Sequence, residues 1–219
     1  MLLDVDGTLA PIVNDPASAT VPERTRAELR RLADRYGLVA CVSGRPSDIA
    51  RRIVGVAELE YVGEHGLELE PAALEWAPRI HAFAAVAGWP VEEKPLSAAF
   101  HYRDAADREE AHARLEQIAA EARAEGFKTR WGRLVLEILP PLDATKGTAV
   151  THLLERHGLR RALYAGDDTT DLDAFAALDR LEIAARVAVR SAEAPPELAA
   201  RADIVVESPL ALEDLLVEL

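Results

Sequence analysis

Short, uninterrupted apolar runs alternate along this chain with longer stretches that are apolar on one face only. Leu38 to Val42, Ala162 to Ala165, a run around Ala185 to Val189 and Ile204 to Val206 each have strand length. Strands apolar on both faces belong in a sheet covered on both sides. Between them, Leu29, Leu32, Ala33 and Tyr36 recur at helical spacing after Thr20-Val21-Pro22-Glu23, which reads as a capping box, and Gly37 is placed to end that helix. Further helices are predicted from the turn Ser43-Gly44-Arg45-Pro46 to about Val54, from near Thr148 to His157 with Gly158 as a stop, from near Thr170, and from Leu210 onward. The alternation predicts an α/β fold with a doubly wound, Rossmann-like parallel sheet.

From 72 to 140 the rhythm changes. A helix around Arg79 to Ala87 precedes two short strands, Val91 to Lys94 and Ala98 to Tyr102. A long helix, Asp107 to Glu125, then precedes two more, Lys128 to Trp131 and Leu134 to Ile138, with Gly132-Arg133 as the hairpin turn. Helix then hairpin, twice over, predicts a smaller α+β cap (72–140) inserted into a core made of 1–71 and 141–219.

A composition 49% hydrophobic and 29% charged is that of a globular protein. Its 25 basic and 38 acidic residues give a formal net charge of -13, which disfavours nucleic acid and anionic membrane surfaces as partners. The single cysteine, Cys41, sits inside an apolar run and reads as a buried structural thiol. No apolar stretch approaches the roughly 20 residues of a membrane span and no secretory signal pattern is present, so a cytoplasmic monomer acting on a small molecule is the expectation.

Asp4-Val5-Asp6-Gly7-Thr8 places two carboxylates two residues apart where a strand turns into a loop. Strand geometry would aim both the same way, and such a pair requires a cation or a shared proton. A plain surface turn is the competing reading. Three further features share its position at a strand's C-terminal end or a helix start: Ser43-Gly44-Arg45, Lys146, and Gly166-Asp167-Asp168-Thr169-Thr170-Asp171. A doubly wound sheet brings such positions into one crevice. Carboxylates suit the hard Mg²⁺ ion, and lysine and serine suit phosphate oxygens. Asp168 and Asp171 also fit as caps of the following helix, Ser43 as a turn residue and Lys146 as a solvated helix start.

Those four motifs, in that order, resemble the haloacid dehalogenase superfamily of aspartate-nucleophile phosphatases. The resemblance implies that Asp4 attacks phosphorus and that Asp6 is the general acid and base. It further implies Mg²⁺ on Asp4, the Asp6 main-chain carbonyl and Asp167, with Asp168 and Asp171 supporting its water shell and Ser43 and Lys146 on the phosphoryl group. Asp4-x-Asp6-Gly-Thr-Leu-Ala-Pro, Val42-Ser-Gly-Arg45, Gly63-Glu64-His65-Gly66 and the insert resemble trehalose-6-phosphate phosphatases more narrowly. In that family an acid-x-lysine pair, an arginine nine positions on and a basic residue four before a glutamate line the sugar site, which implies Glu92, Lys94, Arg103, Arg133 and Glu137 here. Arg45 joins this substrate-binding set, and His65 is placed to shape the crevice. Arg133 stands where lysine is frequent, Leu139 where many members carry a basic residue and Val5 where an aromatic is usual. Phosphatases of sucrose phosphate or of a glycosyl phosphoglycerate share the chemistry, and a receiver-like phosphoacceptor module is the reading from another class. A solvated strand face of mixed charge is the plain reading of the insert's residues. His81, His112, His152 and His157 have no metal-ligand spacing and fit helix surfaces.

Overall fold

The computed structural model describes residues 1–13, 15–132, 134–191 and 194–219. Strand β1 (Leu2–Leu3) is followed by α1 (Glu23–Arg35), β2 (Ala40–Val42), α2 (Ser47–Val54) and β3 (Glu60–Val62). The middle of the chain holds α3 (Ala73–Val86), β4 (Glu92–Glu93), β5 (Ala98–His101), α4 (Arg108–Ala124), β6 (Lys128–Gly132) and β7 (Val135–Leu139). It closes with α5 (Lys146–Arg156), β8 (Arg161–Gly166), α6 (Asp171–Ala177), β9 (Ile183–Val189), α7 (Pro196–Arg201), β10 (Ile204–Val206) and α8 (Pro209–Glu218). Two compact units result, one of Met1–Gly66 with Ala144–Leu219 and one of Leu67–Asp143.

In the first unit the sheet order is β10-β9-β8-β1-β2-β3, with every pairing parallel. The chain winds outward from β1 through β2 and β3 on one side and returns through β8, β9 and β10 on the other. The switch point therefore lies between β1 and β8, where an open α/β sheet places its ligand. Leu3, Cys41 and Ala165 point to one face and pack with Leu29 and Leu32 of α1, Ile53 and Val54 of α2, and Leu212 and Leu216 of α8. Burial pushes the Cys41 thiol up, which keeps it an inert apolar filler. Tyr164 points to the opposite face and meets Phe175 of α6 edge to face, with ring centroids 6.2 Å apart.

The second unit is a sheet of order β4-β5-β7-β6, antiparallel throughout. Its apolar face, carrying Phe100, Leu136 and Ile138, packs on Ile80 of α3 and Leu115 and Ile118 of α4. Each such fully buried side chain contributes roughly 1.5–3 kcal/mol. Asp107 caps α4, accepting from the main-chain N–H groups of Glu109 and Glu110.

Several local expectations change. The predicted capping box at Thr20 does not form: α1 starts at Glu23 behind Pro22 without a side-chain cap, and the Thr20 hydroxyl accepts from Arg26 instead. Helix α3 begins at Ala73, ahead of Pro78, rather than near Arg79. Proline there deprives only the Leu74 carbonyl of its donor, and Leu74 is exposed enough for water to serve it. Helix α5 starts at Lys146 because Thr145 and Thr148 form a reciprocal capping box, which sets Lys146 in the first turn. The strand expected at Val91 to Lys94 is only Glu92–Glu93.

Candidate active site

Asp4 follows β1 directly and stays tied to the sheet, its N–H donating to the Ala165 carbonyl at 2.9 Å. Its carboxylate is buried, and Lys146 Nζ meets Asp4 Oδ1 and Asp171 Oδ1, both at 2.7 Å. Oxygens of Asp4, Asp167 and Asp171 all lie within 4.8 Å of one another. Three buried carboxylates against one ammonium leave two negative charges, the amount a divalent cation carries. All-oxygen donors suit a hard ion.

The proton affinities follow from burial first and from that imbalance second. Burial raises the Asp4 pKa well above the ordinary carboxylate range against the pull of Lys146, with Asp171 and Asp167 adding repulsion. Burial and then the Asp171 charge push Asp167 up to about 7. Burial works to lower the Lys146 pKa, but attraction by Asp171 and Asp4 outweighs it and the net shift is upward, so the ammonium stays charged.

Asp6 does not share this cluster. The two carboxylates, expected to converge, part: Asp4 turns inward to Lys146, whereas Asp6 is partly exposed and takes both of its hydrogen bonds from Arg45. The reason is the brevity of β1, which ends at Leu3, so strand alternation no longer governs the two acids. Gly7 then turns back with φ +83, and a Cβ there would sit 2.1 Å from Asp167 Oδ2, so the carboxylate of Asp167 occupies space that only glycine leaves open. Thr8 was not singled out by spacing. Its hydroxyl lies 3.0 Å from Asp167 Oδ1 and 3.4 Å from Asp4 Oδ2, bridging the two acids, and its place inside the first motif was the available signal.

Asp171 is engaged by the protein on both oxygens. Oδ1 accepts from Lys146 and from the Tyr164 hydroxyl at 2.7 Å each, and Oδ2 from the main-chain N–H groups of Asp167 and Asp168 at 2.9 Å each. Four donors engage this fully buried carboxylate, making it the pivot that holds Lys146 and the Gly166–Asp168 loop. Asp168 is half-buried and accepts from its neighbour Thr169 N–H at 2.6 Å. Neither acid uses its side chain as the cap expected for α6, which has no side-chain cap.

Ser43, at the end of β2, is buried and its Oγ accepts from Arg45 N–H at 3.1 Å, a role that leaves its own proton to donate. His65 stands beside it: His65 N–H donates to the Ser43 carbonyl and Glu64 N–H to the Arg45 carbonyl, each at 2.9 Å. Both residues have left-handed backbones, φ 56 and 45, a cost of about 1–3 kcal/mol each that these contacts offset. A Cβ on Gly44 would lie 2.5 Å from His65 Nε2, so the imidazole packs directly over the Ser43–Arg45 loop.

In the second unit Glu137 lies in register with Arg130 of β6 and is held from both sides. Lys94 Nζ meets Oε1 at 2.8 Å, and Arg130 Nε and Nη2 meet Oε2 at 2.9 and 2.8 Å. Arg130 was not foreseen, because only the β6–β7 register reveals it. Glu92 is exposed and bonds His101 Nε2 at 2.7 Å, and Arg103 is half-buried just after β5. Arg133 lies outside the described residues.

Among the described residues no helix is long and apolar enough to cross a membrane. The family model for trehalose-phosphatase matches residues 2–203. A trehalose-phosphate phosphatase of Mycolicibacterium paratuberculosis is 36% identical over 207 residues, covering 81% of this chain and 51% of its own length. A trehalose 6-phosphate phosphatase of Zea mays is 34% identical over 213 residues, covering 81% and 58%. The chain thus spans little more than half the length of the curated relatives it matches. In fold it is similar to a solved trehalose-6-phosphate phosphatase related protein, with a TM-score of 0.75, 22% identity and coverage of 100% of this chain and 96% of that one.

Proposed function

Because the chain belongs to the trehalose-phosphatase family, we propose that it hydrolyses trehalose 6-phosphate to trehalose and phosphate with Mg²⁺ and an aspartyl-phosphate intermediate. The observation that carries the reading is the buried Asp4, held by Lys146 through one oxygen among acids whose charge the protein only partly balances. Asp4 attacks phosphorus through a carboxylate oxygen while Asp6 gives its proton to the departing sugar oxygen. Asp6 then takes a proton from water as that water's oxygen attacks the phosphorus of aspartyl phosphate, which frees phosphate and restores Asp4. Lys146 and the Ser43 hydroxyl stabilise charge on the phosphoryl oxygens. Asp4, Asp167 and the Asp6 main-chain carbonyl would hold Mg²⁺, which when bound supplies further positive charge to those oxygens. We assign the reading of the sugar to the Leu67–Asp143 unit through Glu92, Lys94, Arg103, Arg133 and Glu137, on the strength of the sequence resemblance.

A phosphate-release assay with trehalose 6-phosphate, with and without Mg²⁺, tests the reading. Comparable kcat/KM for sucrose 6-phosphate would overturn the substrate assignment, and Mg²⁺-loaded protein that never turns over would point to a phosphoacceptor module. Glu137→Gln is expected to raise KM for trehalose 6-phosphate about 10-fold while leaving kcat/KM for a small aryl phosphate unchanged. Equal losses on both esters would remove Glu137 from sugar recognition.

Mg²⁺ should also stabilise the fold in a pH-dependent way. A carboxyl whose folded pKa is raised contributes stability below its unfolded value of 3.8, and that contribution is lost as pH rises toward about 7 for Asp167. A cation relieves the charge that appears in this window. At a 100-fold excess over its dissociation constant, Mg²⁺ adds about 2.7 kcal/mol, on the order of 5–10 °C in Tm. At a fixed Mg²⁺ concentration the shift is expected to be larger at pH 8 than at pH 5 in differential scanning calorimetry. An equal shift at both would place Mg²⁺ elsewhere.

A further inference from the structure

Arg45 carries a contact that the chemistry above leaves unused. Its Nε donates to Asp6 Oδ2 at 2.7 Å and its Nη2 to Asp6 Oδ1 at 2.6 Å, while Nη1 donates to the Pro16 carbonyl at 3.0 Å. The main chain behind this fork is pinned as well, the Arg45 N–H by Ser43 Oγ and the Arg45 carbonyl by Glu64 N–H. The pair is partly screened from water, with Arg45 23% and Asp6 35% exposed. Two parallel bonds from a planar guanidinium fix a carboxylate in angle as well as in distance, which a single lysine contact does not.

We propose that Arg45 is a positioning residue for Asp6 and not a reader of the sugar. This rests on the assignment of Asp6 as proton carrier. Asp6 precedes a left-handed glycine in a loop, and proton transfer requires it to come within hydrogen-bond reach of the ester oxygen. The fork restricts the orientations from which it can do so, with one oxygen staying on Arg45 as a pivot while the other meets the leaving oxygen. The Pro16 tether fixes where that pivot stands. The proton balance is unchanged: Asp6 gives one proton to the sugar oxygen and regains one from water.

The test compares kcat/KM for esters that differ in their need for a proton, a parameter that covers binding and phosphoryl transfer to Asp4 and leaves out the later hydrolysis of aspartyl phosphate. Alkyl phosphates, trehalose 6-phosphate and a small one, leave as alkoxides and need it, whereas p-nitrophenyl phosphate leaves as a stable phenolate. Arg45→Ala should lower kcat/KM for both alkyl esters about 10–100-fold and for the aryl ester by less than about threefold. Arg45→Lys should recover part of the loss, and adding Arg45→Ala to Asp6→Asn should cost the alkyl esters nothing further. Equal losses on all three esters would make Arg45 merely structural, and a loss confined to trehalose 6-phosphate would make it a sugar reader; either overturns the proposal. An Asp6→Asn variant without the alkyl–aryl difference would overturn the acid–base assignment and this proposal with it. The difference in Asp6→Asn but not in Arg45→Ala would overturn this proposal alone.

Discussion

Asp4→Asn is expected to lower phosphate release by about 10⁴-fold or more while leaving the protein folded. The two halves of that expectation have one origin. Asparagine keeps the shape of Asp4 but has no anionic oxygen with which to attack phosphorus, so the covalent route closes. Burial already disfavours the Asp4 charge in the folded state, as its raised pKa records. A neutral isostere therefore removes an unfavourable charge near neutral pH, and the Mg²⁺-free Tm should stay level or rise even though Lys146 loses one ionic partner. Lys146 keeps Asp171 at 2.7 Å, which limits that loss. The Mg²⁺-induced rise in Tm should shrink with the charge. Steady-state kinetics and calorimetry on the same sample check both, and a variant that unfolds would recast Asp4 as a structural residue.

The second large effect is expected at Asp171, and mainly on stability. Asp171→Ala leaves the buried Tyr164 hydroxyl and Asp167 N–H and the part-buried Asp168 N–H without their acceptor, each at about 1–3 kcal/mol, while Lys146 falls back on Asp4. Relief of repulsion on Asp4 and Asp167 works in the other direction. Three orphaned donors outweigh it, for a net loss of roughly 3 kcal/mol, a large part of the 5–15 kcal/mol that holds a typical domain. Catalysis should fall about 100-fold or more as the Gly166–Asp168 loop loosens. Denaturant melts with and without Mg²⁺ distinguish this pivot from a water-shell role. A water-shell residue would leave metal-free stability unchanged and its lost activity would return at high Mg²⁺.

The sequence pattern singled out acids and a lysine that the fold brings together, because each motif sits where local rules act: a strand ends, a glycine turns, a helix begins. Lys146 is a cation in the first turn of its helix, where the dipole disfavours it, and its two carboxylate partners account for it. What stayed hidden depends on pairings between distant segments. Arg45 reaches Asp6 across 39 positions, and no spacing within either motif says that the arginine will spend its fork on an acid. The run Asp167-Asp168-Thr169-Thr170-Asp171 offers three acids without saying which faces inward, and only the direction of α6 sends Asp171 to Lys146 and Tyr164. Arg130 joins Glu137 through a strand register that pattern cannot fix to one residue. Helix α3 begins ahead of Pro78 rather than near Arg79, since the proline withholds a donor only from Leu74, an exposed residue.

Phosphorylation of Asp4 can be read directly by acid-quenching the Mg²⁺-loaded protein during turnover of trehalose 6-[³²P]phosphate and mapping the labelled peptide. Label is expected on the peptide containing Asp4, discharged by hydroxylamine and absent from Asp4→Asn. Phosphate release from active protein with no label retained at any quench time, or label on another residue, would contradict it.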